Sequence, residues 1–355
     1  MQEIVAIAGT PQSSMYSPFK TERRSFADGV VTTSLLGFGG APIGNLFAEV
    51  GDESAAAAVQ EALRCGISYF DTAPYYGYGL SELRLGRALA GIPRDSFVLS
   101  TKVGRSIVAD RGRMEPSDGF AVVGAKAIFD YSYDGVMRSF ESSLERLGVD
   151  YVDVLLLHDI GRVTHGDQHP QRLRQALDEA LPAMAELKAS GACRAIGIGV
   201  NEEAVCLELM PQFPLDCILL AGRYTLLEQD GSRGIMNEAL RRSVAILAAG
   251  PYNSGLLGDA RKPGATYNYM PVNPETLGRA QRIYDVCAAE RVDVGAAALQ
   301  FPLAHPAVVT VVAGLRSVGE VRSAVERLNT ELPASLWAHL REEGLLETYS
   351  LDSST

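Results

Sequence analysis

Eight short apolar runs, each rich in β-branched residues, recur along the chain. They lie at 32–40, 67–73, 97–103, 151–159, 193–201, 217–224, 244–251 and 308–315. A run that is apolar almost throughout is typical of a strand buried on both faces, as in a parallel sheet covered by helices. The pattern therefore predicts eight parallel strands joined by helical crossovers.

Helical periodicity fills the intervals between these runs. Residues 134–147 carry apolar side chains at spacings of four, four and three, which defines one face of a helix. The same spacing recurs at 171–190 and 275–290 and, less regularly, at 317–328, and a further helix is predicted at 52–65. Asp52 is expected to cap the first of these helices, and Gly66 is expected to end it.

Repeated strand–helix units indicate an α/β fold of a particular kind. An open doubly wound sheet would carry a GxGxxG motif after its first strand, whereas GFGGAPIG at 37–44 does not match that motif. A closed (β/α)8 TIM barrel accommodates every unit. We therefore expect a single domain over residues 1–355, with an irregular N-terminal arm at 1–28, a C-terminal helix at 333–346 and a frayed tail at 347–355.

Charge and cysteine content restrict the partners and the location of such a protein. With 32 Lys and Arg against 43 Asp and Glu, the formal charge is −11, which repels nucleic acid and anionic membranes. Five cysteines are spread along the chain without a CxxC pair, so neither a disulfide scaffold nor a zinc knuckle is expected. No signal peptide is expected at the N-terminus, and no apolar run approaches the ~18 residues of a membrane span. These features predict a cytoplasmic protein.

Polar residues lie where several of the predicted strands end. Asp71 ends the second strand and Tyr76 follows it, Lys102 lies in the third, and His158 ends the fourth. Because the carboxyl ends of barrel strands form the active-site face, these side chains are expected to converge. Each alone fits a turn cap or a packing residue, but a Lys or a His at a buried strand position is costly without a partner.

Together these four groups suit proton transfer at a carbonyl or alcohol oxygen. A phenol has a pKa of about 10 and is a reluctant acid or base at neutral pH, but a nearby ammonium favours the phenolate. A carboxylate keeps that ammonium charged and oriented, and a histidine can donate to the reacting oxygen. Proton transfer at oxygen is half of a hydride transfer, whose other half a cofactor would supply.

Four motifs carry a resemblance to a known family. FDTAPYYGYGLSELRLGRAL, LSTKVGR, ERLGVDYVDVLLLHD and CRAIGIGVN resemble, in order and spacing, the signature blocks of the aldo-keto reductase superfamily. The resemblance covers about residues 30–330. Within the superfamily, HDIGRVTHG, GIGVNEE and LLAGRYTLLEQ are most similar to the branch of D-threo-aldose (L-fucose) 1-dehydrogenases and pyridoxal 4-dehydrogenases.

The resemblance implies roles for residues at the strand ends. Tyr76 would be the general acid in reduction and the general base in oxidation, tuned by Lys102 and Asp71, while His158 would orient the substrate oxygen. Asn201 would bond the nicotinamide carboxamide, and Tyr224 would stack on the nicotinamide ring. Val200 and Ala221 stand where members of the family usually carry Ser and Gln, so the ring would be held mainly by stacking and by Asn201.

The loops after the last two strands are expected to bind a dinucleotide. A Gly-rich loop follows the seventh strand and can bring backbone N–H groups to a pyrophosphate, and a helix that can accept phosphate oxygens opens after the eighth. The expected cofactor-binding residues there are Gly250, Pro251, Asn253, Gly255, Leu256, Gly314, Arg316, Ser317 and Arg322. Arg316 with Ser317 would suit the 2′-phosphate of NADP, whereas the resembling branch mostly uses NAD. We expect NAD, with NADP as the alternative.

The expected activity is oxidation of a small aldose of the L-fucose or D-arabinose type at C1, which yields a lactone. Tyr75, Tyr78 and His165 are expected to contact this small polar substrate. HGDQH at 165–169 could mimic a metal site, but no metal is expected there. The alternatives are a pyridoxal 4-dehydrogenase, a general NADPH-dependent aldehyde reductase, a Schiff-base lyase that uses Lys102 as nucleophile, and a non-catalytic cofactor-binding regulatory subunit.

Overall fold

The computed structural model describes residues 22–113, 115–116, 118–229, 231–258, 266–267 and 270–346. The strands are β1 Arg23–Phe26, β2 Val31–Ser34, β3 Leu36–Gly39, β4 Tyr69–Asp71, β5 Val98–Val103, β6 Arg105–Ala109, β7 Ala125–Phe129, β8 Val154–His158, β9 Ala195–Val200, β10 Cys217–Ala221, β11 Ala245–Ala249, β12 Thr266–Tyr267, β13 Met270–Pro271 and β14 Val308–Gly314.

Helices lie between the strands and after them. They are α1 Asp52–Arg64, α2 Leu80–Leu89, α3 Tyr133–Leu147, α4 Arg162–His165, α5 His169–Gln175, α6 Leu181–Ala189, α7 Ala204–Leu209, α8 Ser232–Arg242, α9 Pro274–Ala289, α10 Val294–Gln300, α11 Val318–Asn329 and α12 Ala334–Glu342. A π-helical segment, Ala176–Ala180, joins α5 to α6, so the helix predicted at 171–190 contains a local change of pitch. The C-terminal helix α12 packs against α9 at the side of the barrel.

Eight strands close into a barrel in the order β10-β11-β14-β3-β4-β5-β8-β9, and all neighbouring strands pair in parallel. The predicted (β/α)8 barrel is therefore confirmed. Near-continuous apolar strands are buried by the barrel interior on one side and by the helices on the other.

The first predicted strand is wrong in one respect. The run at 32–40 contains two strands, β2 and β3, and β2 pairs in antiparallel fashion with β1. Residues 23–26 are therefore ordered as a strand, although the sequence predicted an irregular arm over 1–28. Residues 1–21 of that arm and the predicted tail, 347–355, lie outside the described residues.

The β1–β2 hairpin closes the end of the barrel where the strands begin. Phe26 and Val31 pack with inward-facing residues from the first positions of the barrel strands, such as Tyr69, Val98 and Val154. Arg24 donates to the carbonyl oxygens of neighbouring segments of the barrel base. Because this end is filled, the opposite rim, where the strands finish, is left for a ligand.

A second correction concerns the start of α1. Gly51 occupies the N-cap position, and Asp52 is the first residue of the helix without a side-chain cap bond. The Asp52 carboxylate instead accepts a hydrogen bond at 2.8 Å from Arg84 Nε on α2. Gly66 follows the helix with φ +84°, as expected for the residue that ends it. Among the described residues, no helix is long and apolar enough to cross a membrane.

Candidate active site

A buried lysine–aspartate pair lies at the strand ends. Lys102 Nζ donates to both Asp71 carboxylate oxygens, at 2.8 and 2.7 Å, and to the Thr72 carbonyl oxygen at 2.8 Å. Lys102 is 1% exposed, so its charge is stable there only because these acceptors surround it. The β4–β5 register places Asp71 opposite Ser100, whose hydroxyl donates to Asp71 Oδ1 at 2.7 Å. Neighbouring strands thus hold the ammonium group in a fixed orientation.

Tyr76 lies directly above this pair. Lys102 Nζ is 4.6 Å from the centroid of the Tyr76 ring, and the His158 ring is 5.9 Å away at 87°. The turn that carries Tyr76 continues into Gly77, which has φ +63° and approaches Gly44 so closely that a Cβ would meet the Gly44 carbonyl oxygen at 2.3 Å. Only glycine allows that approach, so the PYYGYG turn fixes the tyrosine against the lysine.

His158 is buried and uncharged. Burial, together with the nearby cations Arg105 and Lys102, holds the pKa of His158 well below its ordinary value of 6.5. Its Nε2 lies 3.5 Å from Asp159 Oδ2, and its Nδ1 has no hydrogen-bond partner among the residues that the structure describes. A neutral imidazole has one N–H donor and one acceptor, so this ring can bond a substrate oxygen without bringing a second positive charge.

The lowered pKa of His158 predicts a loss of stability in acid. Below about pH 6.5 the unfolded chain binds a proton at this residue whereas the folded chain does not. The free energy of unfolding therefore decreases as the pH is lowered. His165 and His305 shift in the same direction. In a thermal-unfolding series from pH 7 to pH 5, we expect the free energy of unfolding of His158→Gln to fall by about 2 kcal/mol less than that of the wild type. Identical losses in the two proteins would show that His158 is not the group that resists protonation.

Two cavities meet at Tyr76. The first measures about 460 Å³ and is lined by Asp71, the loop after β11, the loop after β14 and one face of α11. The second measures about 410 Å³ and is lined by Lys102, His158 and the β6–β7 side of the rim. Tyr76, Phe47 and Ala221 line both. The Tyr76 phenol at this junction can therefore contact a ligand in each cavity at the same time.

The loop after β11 is built to approach a ligand with its backbone. Gly250 and Gly255 have φ values of +66° and +90°, and Asn253 and Ser254 share the left-handed conformation. Asn253 is 4% exposed, yet its Oδ1 has no hydrogen-bond partner within the described part of the chain. A buried acceptor that faces no protein donor fits a ligand that carries N–H or O–H groups. The loop therefore suits the polar dinucleotide that the sequence predicted.

Most, but not all, of the predicted cofactor residues line the two cavities. Six of them line the first cavity, namely Gly250, Pro251, Asn253, Gly255, Gly314 and Arg316. Asn201 lines the second, where Arg223 Nε donates to its carbonyl oxygen at 2.6 Å. Leu256 is 1% exposed and packs in the hydrophobic core, so it does not face a ligand. Ser317 caps α11 through a bond from the Glu320 N–H and is not among the residues that line the cavity.

Two predicted cofactor contacts are corrected. Arg322 Nε bonds Glu61 of α1 at 2.6 Å, and together with Arg64 it lowers the pKa of Glu61 to about 2. Tyr224 is 3% exposed and packs against Phe301 and His305, so its ring does not stack in the cavity.

Arg327 was missed by the sequence analysis although it lines the first cavity. Arg327 follows Glu320 and Ala324 on one face of α11, where Ala324 comes four residues after Glu320 and Arg327 comes three residues after Ala324. This helical spacing was the signal that could have placed Arg327 at the cavity. Its guanidinium bonds Asp293 at 2.9 Å.

The predicted substrate residues also divide. Tyr75 lines the second cavity. Tyr78 donates to Asp118, which lines that cavity, while its own ring packs against Phe120. His165 bonds the Tyr131 hydroxyl at 2.9 Å and is not among the lining residues.

Arg105 and Asp159 line the second cavity and were not predicted. Arg105 comes three residues after Lys102, and Asp159 comes one residue after His158. Their closeness in sequence to the predicted catalytic residues was the signal that could have placed them at the site.

A barrel that carries a lysine-supported tyrosine and a neutral histidine between two such cavities defines a nicotinamide-dependent oxidoreductase. The chain belongs to the aldo/keto reductase family, whose sequence model matches residues 35–343. The family predicted from the sequence motifs is thereby confirmed.

Individual relatives are similar over most of their length. The chain is 39% identical to pyridoxal 4-dehydrogenase of Microbacterium luteolum, with 92% of this chain and 98% of that protein covered. It is 38% identical to D-threo-aldose 1-dehydrogenase of a Pseudomonas species, with 92% and 99% covered. Among solved structures, the holo form of an aldo-keto reductase from Bacillus halodurans superposes with a TM-score of 0.70 at 26% identity, covering 94% of this chain and 98% of that one.

Proposed function

We propose that this enzyme oxidises a small aldose at C1 to the lactone with NAD as the hydride acceptor. The observation that carries the proposal is the Lys102–Asp71 pair beneath Tyr76, at the junction of the two cavities. In oxidation, Tyr76 takes the proton of the anomeric hydroxyl, and the Lys102 ammonium stabilises the phenolate that accepts it. A nicotinamide bound in the first cavity would supply the hydride acceptor, so that loss of the hydroxyl proton to Tyr76 and of the hydride from C1 would leave the lactone carbonyl.

The other residues of the site hold the reacting groups in place. Asp71 orients the Lys102 ammonium and balances its buried charge through two hydrogen bonds. His158 bonds the substrate oxygen as a neutral imidazole. Asn201 and the Asn253 loop provide amide groups and backbone N–H groups for the nicotinamide and the pyrophosphate. A Schiff-base lyase is disfavoured, because Lys102 Nζ is engaged by hydrogen bonds to three oxygen acceptors of the protein.

Pyridoxal is the second candidate substrate, and the aromatic wall of the second cavity favours it. Tyr75 and Phe120 pack edge to face with ring centroids 5.3 Å apart, and both line the cavity. Turnover of L-fucose, D-arabinose, L-galactose and pyridoxal with NAD separates the candidates. Turnover of an aldose supports the main proposal, and turnover of pyridoxal alone replaces it. Failure with all four would overturn both.

The preference for NAD over NADP rests on Glu320. This carboxylate lines the first cavity and accepts hydrogen bonds from Arg316 Nε at 3.2 Å and from the Arg316 N–H at 2.8 Å. The Arg316 charge, which the sequence suggested for binding a 2′-phosphate, is therefore already paired with the Glu320 carboxylate. A carboxylate in this position suits ribose hydroxyls and repels a phosphate.

Replacement of Glu320 by Gln is expected to move the preference toward NADP. Gln retains the capping pattern of α11 and removes the negative charge that Arg316 faces, so the ratio of kcat/KM for NADP to that for NAD should rise about tenfold. Glu61→Gln is the matched control, since it removes the negative charge that Arg322 meets outside the cavity and should leave the ratio unchanged. A fall with both cofactors and no change in their ratio would mean that Glu320 only caps the helix.

The proposed location is a reducing cytoplasm. All five cysteines carry free thiols, and four of them are buried. Burial raises the pKa of Cys193 and of Cys287 to about 12, so these thiols stay protonated and unreactive. Unpaired thiols throughout a fold are typical of proteins that work where disulfides do not form.

A further inference from the structure

We propose that Asp159 and Arg105 form a subsite that binds two adjacent hydroxyl groups of an uncharged sugar. The inference rests on the proposed aldose oxidation and specifies which part of the substrate the second cavity recognises. Both residues line that cavity together with Tyr76 and His158. Neither belongs to the group of four that performs the proton transfer.

Asp159 is held by its backbone in an uncommon conformation. Its φ is +49°, a left-handed value that Asp and Asn tolerate better than other residues with a side chain. Its N–H donates to the Gly199 carbonyl oxygen at 2.9 Å, and its own carbonyl oxygen accepts the Tyr131 hydroxyl at 3.0 Å. The neighbouring strand β9 and the turn between β7 and α3, which carries Tyr131, therefore fix the position of the carboxylate beside the catalytic histidine.

Arg105 is fixed just as closely. It begins β6 directly after Gly104, and its guanidinium lies 4.0 Å from the centroid of the Tyr75 ring and 4.7 Å from that of Phe129. Its Nη2 donates to Asp159 Oδ2, and the two side chains are only 12% and 15% exposed. Such a stacked, paired guanidinium is preorganised for planar hydrogen bonding.

The pair retains hydrogen-bonding capacity on both sides. Arg105 Nε is buried and has no hydrogen-bond partner among the residues that the structure describes. A carboxylate offers about four acceptor sites, whereas the contacts of the Asp159 carboxylate within the described chain are Arg105 and the His158 ring nitrogen at 3.5 Å. The pair can therefore still accept hydrogen bonds through Asp159 and donate them through Arg105.

A hydroxyl group is the ligand that satisfies both members, because it donates one hydrogen bond and accepts others. Adjacent hydroxyls can donate to Asp159 and accept from Arg105 at the same time. A phosphate or carboxylate on the substrate would meet the Asp159 charge, and the Arg105 charge is already neutralised by that residue. The chemistry of the pair therefore selects an uncharged polyol over an anionic sugar.

The test compares two substrates that share the reacting group. 2-Hydroxytetrahydropyran presents the same cyclic hemiacetal as an aldopyranose but lacks the other ring hydroxyls. In Asp159→Asn, kcat/KM for L-fucose should fall about 10- to 100-fold relative to kcat/KM for 2-hydroxytetrahydropyran, as expected for a lost hydrogen bond to a charged group. Asn tolerates the left-handed backbone, so the variant is expected to fold. Asp110→Asn removes the half-buried ion-pair partner of Lys126, directly after β6 and outside the residues that line the cavity, and should not change the ratio.

Each outcome has one meaning. A selective loss with L-fucose supports the subsite. An equal loss with both substrates would overturn it, since Asp159 would then act only by positioning His158. An unchanged ratio in an active variant would also overturn it while leaving the proposed function intact. Absence of wild-type turnover with every aldose, despite turnover of 2-hydroxytetrahydropyran, would instead overturn the proposed substrate and the subsite with it.

Discussion

Tyr76→Phe is expected to abolish turnover while leaving NAD binding intact. The variant removes one oxygen atom and keeps the ring that packs beside Lys102 and His158. General acid–base catalysis contributes about 10²- to 10⁴-fold, so kcat should fall by about 10³-fold or more. Turnover is followed through the absorbance of the reduced nicotinamide, and NAD binding through quenching of protein fluorescence.

The matched control for this prediction is Tyr133→Phe. Tyr133 lies on α3, and its hydroxyl donates to Glu186 outside both cavities. This variant should retain the activity of the wild type. If Tyr76→Phe also remained active, the proton would have to be transferred by another group, and the proposed mechanism would be wrong. Lost activity together with lost NAD binding would indicate a damaged fold, and thermal unfolding detects that case.

Lys102→Met is expected to damage both stability and activity. The substitution leaves the Asp71 carboxylate buried without its cation, and breaking a buried pair by removing one partner costs about 3–5 kcal/mol. It also removes the cation that favours the phenolate of Tyr76. Asp71→Asn should destabilise the enzyme in the same way, because it leaves a buried ammonium. Urea unfolding measures the loss of stability, and steady-state kinetics measures the loss of activity.

The double variant separates these two effects. In Asp71→Asn with Lys102→Met no charge of the pair remains, so the double variant should be more stable than the sum of the two single losses implies. Its activity should stay as low as that of Lys102→Met. Additive losses of stability would show that the two side chains are not energetically coupled. Recovery of activity in the double variant would exclude a catalytic role for the Lys102 charge.

Sequence periodicity was sufficient for the barrel, because each strand buried on both faces shows as a continuous apolar run. It was not sufficient for the β1–β2 hairpin, since β2 and β3 are separated by Leu35 alone and read as one run. The antiparallel pair formed by β6 and β7 was also missed. Its strands are only partly buried and lack a continuous apolar pattern.

The site shows the same division. Asp71, Lys102 and His158 were visible because a polar residue at the end of an apolar strand stands out from its surroundings. Arg322 and Tyr224 were misassigned because position along the chain does not reveal which neighbour a side chain meets. Arg322 turns to Glu61 on an adjacent helix, and Tyr224 turns into the core. Such choices depend on tertiary packing between segments that are distant in sequence.

The most direct test of the proposed function is the fate of the hydrogen on C1 of the substrate. The enzyme is incubated with NAD and L-fucose deuterated at C1, and the reduced cofactor is isolated and analysed by mass spectrometry. Direct hydride transfer predicts that the reduced nicotinamide carries one deuterium and that fuconolactone forms in equal amount. Reduced nicotinamide without deuterium, or deuterium lost to water, would contradict hydride transfer from C1.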